Sequence, residues 1–364
     1  MSATVRKFSA LAPRPHPAAG RSTLHDSYPM NISVLSDGGW GTALAKVLCE
    51  NGHTVTLWGP FPDYIAEMAR TRRNEKFLKG VELPEALRLE SDLARAIAGA
   101  ELAVLAAPSQ FMRGLLEKLR PLPRPASLVY VNVAKGIETG SCKRVSELVT
   151  EFLGEVRYAI LSGPSHAEEV ARRIPTAVMT ASRDPQAALL VQQAFMNEYL
   201  RVYTSDDVVG AELGGALKNV LALAAGILDG MGLGDNTKAA LMTRGIVEMA
   251  RLGEALGGRH ETFSGLSGIG DLIVTCTSQH SRNRHVGEEL GKGRKLAEIQ
   301  KEMGLVVAEG VKTASSAYDL ARRAGVETPI IDEVHASLYA DKDPRLALRD
   351  LMLRDAKSER RPAG

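Results

Sequence analysis

The sequence predicts an α/β protein, with an N-terminal doubly wound parallel-sheet domain followed by an all-helical C-terminal domain. Three observations carry this. From Met30, short β-rich runs alternate regularly with segments of helical apolar spacing. A glycine-rich loop follows the first of those runs, and beyond about Ser205 strand signals give way to long helical patterns punctuated by glycine. At 364 residues the chain exceeds the usual size of one domain. The expected division is a dinucleotide-binding unit over 30–208 and a helical substrate-binding unit over 209–356.

Residues 1–29 stand apart. Met1 to His25 contains no acidic residue, four basic ones (Arg6, Lys7, Arg14, Arg21) and three prolines, without the apolar core of a secretory signal. The segment reads as a transit segment, a tail, or sequence upstream of a start at Met30; the last is favoured because Met30 opens directly onto a strand. Asn31-Ile32-Ser33-Val34-Leu35 is that strand, Thr42 to Asn51 has helical spacing, and His53 to Trp58 is a second strand, together a βαβ unit. Leu102 to Ala106, Leu128 to Val133 and Tyr158 to Leu161 read as buried strands, each ending in a loop. Helices are expected over Gly210–Gly230, Lys238–Leu256, Leu272–Leu290 and Thr313–Ala324, and residues 357–364 form a polar tail.

Composition narrows the function. With 45% hydrophobic and 24% charged residues the chain is ordinary for a globular enzyme, and a net charge of +2 gives no electrostatic case for nucleic acid. No stretch approaches the roughly 20 apolar residues of a membrane span. Cys49, Cys142 and Cys276 are odd in number, scattered, and lack metal-ligand spacing, so no metal site is expected and a reducing, cytoplasmic setting fits.

The loop after the first strand is Ser36-Asp37-Gly38-Gly39-Trp40-Gly41. A dinucleotide fingerprint wants glycines for a tight turn, for approach to the pyrophosphate and for helix packing, with the helix N-terminus facing the phosphates. Gly38 and Gly41 occupy the second and third of those places; Ser36 occupies the first, and Asp37 brings a carboxylate toward an anionic ligand. Trp40 reads as a ligand contact or a hydrophobic plug. After the second strand stands Trp58-Gly59-Pro60, offering neither the acid that holds a ribose 2′-hydroxyl nor the base that meets a 2′-phosphate. Pro108-Ser109-Gln110, Lys135-Gly136 and Ser162-Gly163-Pro164-Ser165 fall at carboxyl ends of strands, where open α/β sheets bind ligands. Lys135 fits a phosphate or carbonyl oxygen, or plain solvation. Gly163 and Ser165 fit an anion or an ordinary helix cap.

Lys218 lies inside Gly214-Gly215-Ala216-Leu217-Lys218-Asn219-Val220, otherwise a buried helix. Its neighbours at helical spacing are mostly small, so it is expected to face a groove, either snorkelling toward water or acting as a proton donor and acceptor where burial disfavours its charge. The densest polar cluster runs from Gly268 to Arg284. Asp271, Thr275, Ser278 and Arg282 follow helical spacing, but an unbroken helix would put roughly 16 Å between Asp271 and Arg282. A break between Thr277 and Ser281 is needed for both to reach one site. Arg282 is the best phosphate fork in the chain, with Asn283 as an added amide donor.

On these residues the chain from Met30 to about Arg354 resembles the bacterial NAD(P)-dependent glycerol-3-phosphate dehydrogenase family. The motifs in family order are Gly39-Trp40-Gly41-Thr42-Ala43, Ala134-Lys135-Gly136, Ser162-Gly163-Pro164-Ser165, Gly215 to Val220, Gly270-Asp271-Leu272, Ser281-Arg282-Asn283-Arg284 and Glu309-Gly310. The resemblance implies Lys218 as catalytic acid/base, and Lys135, Gly163, Ser165, Asn219, Asp271, Ser281, Arg282 and Asn283 as substrate contacts. It implies cofactor contacts from Gly38, Gly39, Trp40, Gly41, Lys135, Ala167, Arg282, Val307 and Glu309, with NAD or NADP as cofactor. It further implies reversible reduction of dihydroxyacetone phosphate to sn-glycerol 3-phosphate, feeding glycerophospholipid synthesis; a homodimer is expected from the apolar helices of the second half, with no interface legible in the sequence. Family members usually open the loop with glycine, carry serine or asparagine at Gly39, and often Arg or His at Pro60. Two other readings remain: a β-hydroxyacid-dehydrogenase-type enzyme, whose catalytic Lys and Asn are usually four apart where Lys218 and Asn219 adjoin, and a non-catalytic dinucleotide sensor.

Overall fold

The computed structural model describes residues 28–304, 308–356, 358 and 359. The expectations for the first 27 residues, for Val307 and for most of the polar tail lie outside them. The strands are β1 (Asn31–Leu35), β2 (Thr54–Trp58), β3 (Arg73–Asn74), β4 (Leu78–Glu82), β5 (Arg88–Glu90), β6 (Leu102–Leu105), β7 (Val129–Asn132), β8 (Arg157–Ser162), β9 (Thr176–Ala181) and β10 (Leu200–Ser205). Between them run α1 (Gly39–Glu50), α2 (Pro62–Thr71), α3 (Leu93–Ile97), α4 (Ser109–Leu119), α5 (Val145–Leu153), α6 (Ala167–Ala171) and α7 (Pro185–Phe195).

Eight strands form one sheet in the order β10-β9-β8-β7-β6-β1-β2-β5, with β3 and β4 a separate antiparallel pair. The winding reverses between β1 and β6, which pair in parallel from Ile32↔Leu102 to Leu35↔Leu105. A crevice therefore opens at the carboxyl ends of these two strands, between the glycine loop and the start of α4. The central strands β1, β6 and β7 are mostly apolar, as two-sided burial requires.

The sheet is not parallel throughout. β9 runs antiparallel to β8, and β10 then pairs in parallel with β9. The reason lies in α6: its five residues extend only about 8 Å, too short to carry the chain back along a six-residue strand of about 20 Å. The eleven-residue α7 is long enough, and the next crossover is parallel. β5, β9 and β10 were missed by periodicity because each is short or partly polar.

The rest of the described chain is helical: α8 (Val208–Gly230), α9 (Asp235–Ala255), α10 (His260–Phe263), a π-turn (Leu266–Gly270), α11 (Asp271–Thr277), α12 (Arg282–Gly291), α13 (Leu296–Met303), α14 (Glu309–Arg323), α15 (Pro329–Tyr339) and α16 (Pro344–Met352). The helix expected over Leu272–Leu290 is two helices, broken where Ser278 turns extended and Ser281 caps α12. α8 is the axle of this half, buried from Val208 to Leu228. By length and composition it is, against expectation, apolar enough to cross a membrane, but its most apolar stretch is enclosed entirely by protein.

Glycines let α12 lie directly on α8. A Cβ on Gly226 would overlap the Arg284 carbonyl oxygen, and one on Gly287 would overlap that of Leu223. Backbone meets backbone, so neither helix can yield locally. Gly287→Ala is expected to destabilise the protein by about 2 kcal/mol or more. A denaturant midpoint equal to the parent's would show that the two helices can separate without cost.

Candidate active site

Four segments distant in sequence meet between the sheet and the helical half. Lys135 follows β7, Gly163 and Ser165 follow β8, Lys218 sits midway along α8, and Asp271 opens α11. Asp271 is 1% exposed and bridges two ammonium groups: Oδ1 accepts from Lys218 Nζ at 2.8 Å and Oδ2 from Lys135 Nζ at 2.7 Å. Lys218 also donates to Thr275 Oγ1 at 2.7 Å, and Lys135 to the Gly163 carbonyl at 2.7 Å and to Ser165 Oγ at 3.3 Å. Lys218 is not a snorkeller, since it is 6% exposed and its Nζ is engaged inside the protein. In place of an open groove, the polar groups of Asp271 and Thr275 enclose its ammonium. Gly215 leaves room for the Lys135 stem, as a Cβ there would stand 3.4 Å from Lys135 Cγ and 2.9 Å from Ser162 Oγ.

Electrostatics follow from this crowding. Burial pushes the Asp271 carboxyl up, but the flanking charges of Lys135 and Lys218 outweigh it and hold the group below the ordinary carboxylate range. Burial, against the attraction of Asp271 and with the repulsion of Lys218, brings Lys135 down to about 8. One carboxylate thus serves two lysines, leaving net positive charge on the cleft floor, which suits an anionic substrate.

A chain of amides braces this floor. Asn219 Nδ2 donates to the Lys135 carbonyl at 2.8 Å, Asn283 Nδ2 to Asn219 Oδ1 at 2.9 Å, and Gly310 N to Asn283 Oδ1 at 2.9 Å. Asn283 is therefore committed through both ends of its amide, which makes it a brace more than the free donor expected. Ser281 likewise caps α12, accepting from Arg284 N at 3.2 Å. Gly163 presents its carbonyl to Lys135, where amide donation to an anion was expected. Arg282 differs: it is exposed at the first turn of α12, and no hydrogen bond or ion pair holds its guanidinium among the described residues.

Beside this floor lies the glycine loop. α1 begins at Gly39 with no side-chain cap and no acidic residue in its first turn, which leaves its amides open to an anion. A Cβ on Gly38 would meet only Ser36 Oγ, at 3.7 Å, so space remains in front of the helix. A Cβ on Gly39 or Gly41 would instead overlap the Phe77 or Ser36 carbonyl oxygen, as tight packing of helix on strand demands. This open helix terminus fits a dinucleotide pyrophosphate. Trp40 is partly buried against both the main sheet core and a small cluster with Ala167, and its indole Nε1 is buried without a partner among the described residues. Glu309, at the start of α14, accepts from Ser109 N at 2.9 Å and closes the other side of the crevice. Ser36 has φ +133°, a region that favours glycine, so the loop keeps the fingerprint's backbone despite its side chain.

The site geometry coincides with likeness to known proteins along almost the whole described chain. Residues 31–188 match the family model of the NAD-dependent glycerol-3-phosphate dehydrogenase N-terminus, and 207–349 that of its C-terminus. The chain belongs to the NAD-dependent glycerol-3-phosphate dehydrogenase family. A glycerol-3-phosphate dehydrogenase [NAD(P)+] of Geobacillus kaustophilus is 53% identical over 333 residues, covering 90% of this chain and 96% of the relative. One from Geobacter sulfurreducens is 52% identical over 332 residues, covering 90% and 98%. The crystal structure of glycerol-3-phosphate dehydrogenase from Coxiella burnetii superposes with a TM-score of 0.86 at 38% identity, covering 90% of this chain and 99% of that one.

In this member of the glycerol-3-phosphate dehydrogenase family, sequence reasoning overlooked several groups that shape the site. Thr275, the second partner of Lys218, was visible only as a position four residues after Asp271. Ser109 was noted within its loop but not as the partner of Glu309. His166 gave no signal at all, yet its ring lies 5.8 Å from that of His280 and links the β8–α6 loop to the α11–α12 break.

Proposed function

We propose that the chain interconverts dihydroxyacetone phosphate and sn-glycerol 3-phosphate with NAD(H) or NADP(H), supplying glycerophospholipid synthesis in the cytoplasm, and works as a homodimer. The observation that carries this reading is the buried Lys218–Asp271–Lys135 chain, one cleft wall away from an uncapped helix N-terminus. The bound nicotinamide supplies hydride chemistry. Lys218 gives the proton that completes the new hydroxyl and takes it back in the reverse direction. Lys135 polarises the carbonyl oxygen, and Asp271 orients both ammonium groups. Arg282, without a partner among the described residues, receives the phosphate. Gly38 to Gly41, Trp40, Ala167 and Glu309 line the nucleotide side.

Family membership sets aside the β-hydroxyacid-dehydrogenase alternative, and the completeness of the lysine cluster argues against a sensor that does no chemistry. The direct test mixes purified protein with dihydroxyacetone phosphate and each reduced cofactor and follows loss of nicotinamide absorbance. Oxidation of neither cofactor would sink the reading. Size measurement by light scattering tests the homodimer, for which a monomer at micromolar concentration is the contrary result. Arg282→Ala is expected to raise KM for the phosphate substrate about a hundredfold, by loss of charge-assisted hydrogen bonds, with a smaller change in kcat. A KM within twofold of the parent's would move the phosphate to another group.

A further inference from the structure

β2 ends in Trp58-Gly59-Pro60, so the place from which this fold usually reads the adenine ribose holds no charged side chain of its own. A carboxylate reaches that place from the neighbouring strand's loop. Asp37 is 3% exposed, and a Cβ built on Gly59 would lie 2.7 Å from its Cγ and 2.9 Å from its Oδ2. The carboxylate therefore packs directly on the Gly59 backbone, where a side chain at the end of β2 would otherwise begin. Any residue but glycine at 59 would displace it.

Asp37 Oδ2 is buried and accepts no hydrogen bond from the described residues. Its backbone is well held, the carbonyl accepting from Asn74 Nδ2 at 2.7 Å and Thr42 Oγ1 at 3.2 Å, so the loop is fixed and Oδ2 is the oxygen left over. A buried carboxylate oxygen without a donor is costly, and a donor brought by a ligand would relieve that cost. The surrounding groups offer little compensation. Lys76 is the cation acting on Asp37, but its ammonium lies over the Tyr64 ring, 3.9 Å from the centroid. Pro60, exposed beside Gly59, supplies no positive charge.

We infer that Asp37 sets the cofactor preference of this chain: its carboxylate accepts from an adenine-ribose hydroxyl of NAD(H) and repels the 2′-phosphate of NADP(H). The inference rests on the dehydrogenase reading and adds to it which nicotinamide cofactor is used. It is tested by binding alone, titrating the full chain with NADH and with NADPH and following tryptophan fluorescence and calorimetric heat. NADH is expected to bind at least about tenfold more tightly, the effect of one hydrogen bond to a charged group. Asp37→Asn narrows that gap about tenfold, chiefly by tightening NADPH. Pro60→Arg, which leaves Asp37 untouched, also tightens NADPH and keeps the question open to measurement if the Asp37 variant folds poorly. Equal affinities in the parent, tighter NADPH through Lys76, or an Asp37→Asn protein weakened equally toward both would overturn the inference and leave the dehydrogenase reading standing. Binding of neither dinucleotide would overturn both.

Discussion

Lys218→Ala is expected to lower kcat by about a thousandfold or more, the scale of a lost general acid together with the mispositioning it causes. The protein should still fold. Asp271 keeps Lys135 as its counter-ion at 2.7 Å, so no buried charge is stranded, and the vacated space is lined by the Thr275 hydroxyl and an Asp271 oxygen, which can hold water. Binding of reduced cofactor should change by less than about threefold, because α1 and its loop do not touch Lys218. The measurement is steady-state turnover beside a direct binding titration. Turnover within tenfold of the parent's would remove Lys218 from the proton-transfer role, whereas loss of cofactor binding would recast it as structural.

Asp271→Ala is expected to have the largest effect on stability, about 3–5 kcal/mol, because it leaves two ammonium groups in one enclosed space without a counter-ion. Activity should fall as well, since neither lysine keeps its position. The loss should depend on pH. Lys135 already titrates near 8, below the ordinary lysine value of 10.5, and removal of Asp271 takes away the attraction that opposes burial. Its folded-state value then falls further. A folded state that binds fewer protons than the unfolded one gains stability as pH rises, up to the ordinary lysine value. The parent's Lys135 gains stability in the same way above about pH 8, so the deficit should shrink as pH rises toward about 8 and stay level above it. Denaturant midpoints across that range are the check. A deficit of under 1 kcal/mol, or one that does not change with pH, would mean that water already screens the pair.

Much of the site was legible because its parts have local signatures. A lysine inside an apolar helix, a glycine loop after a strand and a polar run on a helical repeat each violate or punctuate a periodicity that reports burial along one element. The helical pattern over 272–290 did not itself reveal the break between α11 and α12; the rise of an unbroken helix made a break only the condition for Asp271 and Arg282 to reach one site. What did not follow was the partner of each group. Asp271 lies 136 residues from Lys135 and 53 from Lys218, and nothing near any of the three says that one carboxylate serves both. Asn283, read as a free donor, turned out to be bonded to Asn219 and Gly310.

The sequence by itself determined the order of the main elements, the βαβ start after Met30, the helical second half and the segments that carry Lys135, Lys218 and Asp271. These depend on how each short segment partitions its own side chains between water and protein. Only the tertiary structure decided that β9 turns back against β8, that α8 and α12 approach through glycine, and that Asp37 lies against Gly59. Each of these is a choice of neighbour between segments tens or hundreds of residues apart. It is made by packing and by the cost of leaving buried polar groups unpaired, and neither quantity exists until the chain has closed on itself.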